Sequence, residues 1–130
     1  MPRKPLKSTR SRDTKINRVR AITNSLVGNE TSDDLMEKIL ESLTITEKFP
    51  TVGKFYTFVY FPKTSGIEYD THPLVGVTNI FNWGFKGINF HWGEQRQYTW
   101  DEVVGDLHLV YSQELKDLQA IPFKRIRINS

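Results

Sequence analysis

From residue 13 onward the apolar positions fall at helical spacing: Ile16, Val19, Ile22 and Leu26 recur at intervals of three and four, which places them on one face of a helix. Asp13 is the expected N-cap and Gly28 the expected stop. A second helix is predicted from Ser32, with Asp33 and Asp34 in the first turn, where carboxylates meet the positive end of the helix dipole. Its apolar stripe is Leu35, Met36, Ile39, Leu40 and Leu43. With only residues 29–31 between them, the two helices are expected to form an antiparallel hairpin, packed on itself or against a neighbour.

The period then changes. Residues 54–61 are aromatic or β-branched at almost every position, the mark of a strand apolar on both faces, and Pro62 should stop it. Leu74–Ile80 is a second strand. Gly84–Trp92 is a third, with Ile88, Phe90 and Trp92 on one face and Asn89 and His91 on the other, an alternation that suggests half burial. Thr99 and Glu102 have the spacing of a capping box for a turn of helix ending before Gly105. Residues 107–111 extend, Ser112 caps a short helix through Gln119, and a last strand runs from Phe123 to Ile128. Short strands, Gly-containing turns and a late short helix point to an α+β protein with a small bent β-barrel or sheet of SH3-like kind, an open sheet being the competing arrangement.

Composition separates the chain into unequal parts. All sixteen aromatic residues lie between Phe49 and Phe123, so the large side chains of a core belong to residues 49–130. Residues 1–12 have little to bury and are expected to be a disordered basic tail, with 13–48 a two-helix arm. The overall charge of +3 hides a gradient: residues 1–20 carry eight Lys or Arg against Asp13, residues 21–48 two basic against six acidic residues, and residues 49–130 eight of each. The absence of cysteine excludes disulfides and thiolate metal sites. No apolar run approaches ~18 residues and no apolar signal core opens the chain, so a protein of cytoplasmic origin with no membrane partner is expected.

The chemistry offered by single residues is sparse. Arg3, Lys4, Lys7, Arg10, Arg12 and Arg18 are the candidate partner contacts of the arm, and Lys124, Arg125 and Arg127 form a second basic group at the C-terminal strand. These suit an acidic protein surface or phosphate, or, on the terminal strand, an edge protected by charge. Most aromatics alternate with small or β-branched residues and are expected to fill the core rather than stack on bases. His72, His91 and His108 are scattered, and His91 with Glu94 lacks the helical setting of a metal pair. Asp70 with His72 is the one conceivable acid–base pair, but an Asp ahead of His-Pro also suits a hydrogen-bonded loop closure. Gly84, Gly87 and Gly93 suit turns and bulges. With neither a phosphate loop nor a nucleophile elbow, no enzyme activity, cofactor or metal is expected.

One resemblance adds to this. The run Gly53 to Thr64, with its terminal Pro62-Lys63-Thr64, then Tyr69-Asp70, Pro73-Leu74-Val75 and Gly84 to Trp92, resembles a pattern in small proteins of large contractile-tailed bacteriophages. The likeness spans roughly residues 53–92, leaves the arm outside, and carries no assigned chemistry; the loop between Thr64 and Tyr69 and the tail after Trp92 are shorter here. It implies a virion or assembly protein, made in the host cytoplasm, that docks in baseplate, tail or neck and clamps neighbouring subunits with its arm. A nucleic-acid-binding or DNA-packaging accessory protein is the alternative.

Overall fold

A computed structural model describes residues 17–25, 31–63, 68–121 and 125–127. Two helices, α1 (Arg18–Asn24) and α2 (Ser32–Ser42), precede the strands β1 (Thr46–Glu47), β2 (Phe55–Tyr60), β3 (Glu68–Asp70), β4 (Leu74–Ile80), β5 (Gly84–Asn89), β6 (Glu94–Thr99) and β7 (Val103–Val110). A short helix α3 (Leu115–Gln119) and a strand β8 (Arg125–Arg127) follow. Trp100–Glu102 and Ser112–Glu114 are single 3-10 turns.

The α+β expectation holds, and the sheet is open. Six antiparallel strands run in the order β1-β7-β2-β4-β5-β6, and β3 pairs with β8 in a separate two-stranded ribbon. The expected strong bend is present, but closure into a barrel is not: β1 and β6 are the two ends of the hydrogen-bonded order among the described residues. The bend is visible in the rings. Phe58 and Tyr60 on β2 lie 5.5 and 5.0 Å from Tyr98 on β6, centroid to centroid. In a flat sheet strands three places apart would be about 14 Å apart, so the sheet curls until its concave face closes on itself. Tyr56, Phe58, Tyr60, Val75, Val77, Phe85, Tyr98 and Leu107 fill that face.

The other face is covered by helices. Val19 of α1, Met36 and Ile39 of α2 and the following Leu43 form one cluster with Leu74, Val110, Leu118 and Ile121. The choice left open for the two helical stripes is therefore resolved within the chain: α1 and α2 touch each other, and both pack on the sheet. Each fully buried aliphatic or aromatic side chain contributes about 1.5–3 kcal/mol, and Ile39 and Leu43 are buried completely.

Several local expectations shift. α1 begins at Arg18, with the Asn17 side chain accepting from the Arg20 N–H, and ends at Asn24 with Ser25 as its C-cap; the expected caps Asp13 and Gly28 lie outside the described residues. Thr31, not Ser32, caps α2, its hydroxyl accepting from the Asp34 N–H at 3.1 Å. Thr99 and Glu102 do meet, but by a 2.6 Å bond between side chains rather than a cap. Gly84 and Gly87 sit inside β5 and not in a turn. A Cβ on Gly84 would fall 1.9 Å from the Tyr98 carbonyl oxygen and one on Gly87 2.3 Å from Val75, so both admit a neighbouring strand. Of the three glycines read as turn or bulge residues, Gly93 alone has positive φ, +74°, and Gly87 stands beside the register shift between Val77 and Asn79 on β4.

β5 also turns the opposite face inward. Asn89 is buried while Ile88 is exposed. The Asn89 amide donates to the Tyr98 hydroxyl at 2.9 Å, and its carbonyl oxygen accepts from the His91 and Trp92 N–H groups. An amide with both its nitrogen and its oxygen bonded resides in the core with little penalty, which a reading by hydropathy misses.

Candidate partner interface

The curl and the hairpin between β4 and β5 push large side chains outward at one rim of the sheet. Phe81 and Trp83 occupy the turn between those strands, stacked at 5.0 Å with planes only 5° apart, and are 37% and 42% exposed. Trp100 adjoins them: its N–H donates to the Trp83 carbonyl, and its indole N–H to the Asn82 carbonyl at 2.8 Å. On the far side of Trp100 stands Phe49, edge-on at 5.3 Å and 66% exposed. A hollow of about 240 Å³ opens there, lined by Lys48, Phe49, Trp100, Val103 and Asp106. Exposed Trp and Phe held by backbone bonds and by each other lose little entropy on binding, and such residues dominate the energetics of protein interfaces.

The turn that carries Trp100 is well bonded at its base. Glu102, at the end of the Trp100 turn, accepts from the Tyr60 and Thr99 hydroxyls, each at 2.6 Å, and from the Lys63 N–H. Burial by itself raises the Glu102 pKa, but the hydrogen bonds from Thr99, Tyr60 and Lys63 outweigh it and hold the carboxyl below its ordinary range. Tyr98, deeper in the core, is pushed far up, chiefly by burial.

A second polar region surrounds Asp70. The conceivable Asp70–His72 acid–base pair is not formed. Asp70 contacts His91 Nδ1 at 2.6 Å, with both side chains nearly inaccessible, while the Thr71 hydroxyl lies 3.1 Å from His72 Nδ1. Asp70–His91 thus ties β3 to the segment that follows β5. Glu94, the other half of the lone H-x-x-E spacing, pairs with Arg96 at 2.6 Å. Among the described residues no group of three His, Asp or Glu is placed to hold a metal. His72 lines a pocket of about 310 Å³ with Asp33, Glu37, Leu40, Val59 and Phe61. Burial lowers its pKa, against the opposing charges of Asp33, Asp70 and Glu37.

No family model matches the chain, and no curated protein or solved structure matches it either.

Of the candidate contact residues, Arg3, Lys4, Lys7, Arg10, Arg12 and Lys124 lie outside the described residues. Arg18 is engaged inside the chain: its guanidinium donates to both Glu114 oxygens at 2.9 Å and to the Leu109 carbonyl, and lies 4.0 Å from the centre of the Tyr111 ring. Arg20 turns to Asp117 at 3.0 Å. The positive helix therefore meets carboxylates of the 112–119 segment. Arg125 and Arg127 pair in register with Asp70 and Glu68, so the terminal strand uses one edge within the chain. The aromatic rim was missed by the rule that aromatics fill cores. The available signal was position: Phe81 and Trp83 flank Asn82 between two strands, where a tight turn carries side chains away from the core.

Proposed function

We propose that this protein is a small structural component of a contractile-tailed phage virion, in baseplate, tail or neck, docking on a neighbouring subunit through its β-body and clamping others with its basic N-terminal arm. The observation that carries the reading is the aromatic rim of Phe49, Phe81, Trp83 and Trp100. It is a surface of the kind proteins bury against one another, on a body whose charge balances to zero and which has no long-range pull on a polyanion. The segments carrying the resemblance support it from another side. Gly53–Thr64 supplies β2, Gly84–Trp92 supplies β5, and Asp70 and His91 from two of the segments touch. The shared pattern thus reads as a folding frame, suited to a building block rather than to a catalyst.

In this reading residues 1–12 order on the partner, and a segment that orders on binding covers much surface for its length. Deleting residues 1–12 should leave the body folded and reduce incorporation into assembled particles. Replacing Phe81 and Trp83 by Ser should reduce it further, with a modest fall in melting temperature from the lost stacking of two rings that are 37% and 42% exposed. Normal incorporation of both variants, measured by quantitative gel analysis of purified particles, rejects the reading.

The excess of seven positive charges in residues 1–20 favours a second reading, a DNA-binding or packaging accessory protein. It requires DNA affinity that falls steeply with added salt and vanishes with the arm. Absence of binding at ~50 mM salt removes it.

A further inference from the structure

The pocket beside α2 has a composition that the docking rim lacks. Asp33, Glu37 and Leu40 fall at i, i+4 and i+7, so they form one stripe of α2 next to the buried stripe of Met36, Ile39 and Leu43. Facing them are Val59 and the half-exposed Phe61 at the end of β2, with His72 beyond. The volume, about 310 Å³, suits one long side chain with adjoining backbone. Two carboxylates beside an apolar lining match a Lys or Arg, whose methylene stem would pack on Leu40, Val59 and Phe61 while its charge stays at the carboxylates. Such side chains are concentrated elsewhere in this chain: residues 1–12 hold five basic residues and no acidic one.

The placement of the arm's root sets the form that a contact between copies would take. Asn17 donates to the Gln113 carbonyl and to Asp117, and Arg18 to Glu114 and the Leu109 carbonyl. Leu109 and Val110 pair with Tyr56 and Phe55 at the start of β2, whereas the pocket opens beside Val59 and Phe61 at its other end. Donor root and acceptor therefore sit at opposite ends of the central strand, the layout of a head-to-tail contact that repeats from copy to copy.

We propose that the pocket of Asp33, Glu37, Leu40, Val59 and Phe61 receives a basic side chain from the N-terminal segment of a second copy of this chain. This rests on the assembly reading and names one acceptor for the arm.

Complementation between two full-length variants tests it. The first carries Asp33→Asn and Glu37→Gln with the arm intact. The second carries Arg3→Ser, Lys4→Ser, Lys7→Ser, Arg10→Ser and Arg12→Ser with the pocket intact. In sedimentation at low salt and ~100 μM protein, in the range of modest protein affinities, the wild type should associate beyond the monomer. Each variant alone should associate at least ~10-fold more weakly, the loss corresponding to the ~1.4 kcal/mol of a tenfold change. Their equimolar mixture should form a 1:1 pair that grows no further, and ~0.5 M salt, which shortens the screening length to a few Å, should disperse it. A second pocket variant, Glu37→Lys at an exposed helix position, guards against misfolding of the first. A monomeric wild type, a mixture that stays monomeric, or association that survives in both pocket variants overturns the proposal; docking of the arm on its own body gives the first two results. Should particle incorporation depend on the arm while the mixture stays monomeric, this acceptor fails and the assembly reading stands.

Discussion

At the scale of single residues, the central strands meet at distances that few side chains would allow. Gly87 pairs with Val77 on one side and Arg96 on the other, and a Cβ there would lie 2.3 Å from Val75 and 2.6 Å from the Gly76 carbonyl oxygen. Gly87→Ala is expected to cost several kcal/mol, above the ~1–3 kcal/mol of ordinary overpacking because a backbone atom must move. Gly93→Ala, with open space around it, should cost only about 1 kcal/mol for its positive φ. Urea midpoints that rank the two the other way would contradict this packing. Thr57 presents the reverse case: it is buried, and its hydroxyl has no hydrogen-bond partner among the described residues. Thr57→Val keeps the shape and removes the stranded hydroxyl, so a gain of about 1 kcal/mol is expected in the same measurement. A loss would mean that the hydroxyl is bonded after all. The glycines were legible as special positions, but their reason was not, because Val75 and Tyr98 are distant in sequence.

At the scale of elements, α1 is held to the body by polar contacts more than by apolar area. Val19 is its buried residue. Around it Glu114, which has no exposure at all, accepts from the Arg18 backbone and guanidinium and from the Tyr111 N–H. Removing one partner of such a pair leaves a buried charge uncompensated, so Glu114→Ala should cost about 3–5 kcal/mol. The loss should appear first as faster hydrogen exchange in residues 19–23, before the sheet opens; uniform exchange across the sheet would show that the helix is no separate unit. Helix existence was readable from the three- and four-residue spacing, and so was β4, Leu74–Ile80, found at its expected bounds. β6 was not. Only Tyr98 of Glu94–Thr99 is buried, because the strand forms the sheet's edge and shows the core one large ring.

At the scale of the whole molecule, acid should weaken the fold in two steps. Burial lowers the His72 pKa in the folded state, so the unfolded chain takes up the proton first and stability falls as pH drops below about 6.5. Glu102 is also held low, and its contribution is lost further down, as pH falls below about 4.3 and through its folded value. His72→Gln should flatten the upper step alone. An unchanged difference between urea midpoints at about pH 7.5 and about pH 5.5 would assign that step elsewhere. The pocket, the rim and the folded-back arm root belong to this scale, and so does the division of what could be known in advance. Sequence alone determined the α+β class, the helical stripes, the aromatic body and the charge gradient, because these follow from periodicity and composition along a local stretch. Tertiary structure alone decided that Asn89 lies inside and Ile88 outside, that Asp70 meets His91, that Arg18 meets Glu114, and that Phe81, Trp83, Trp100 and Phe49 share one rim. Each depends on how far an open sheet curls and on which distant strand it then reaches, and no local spacing of residues encodes that distance.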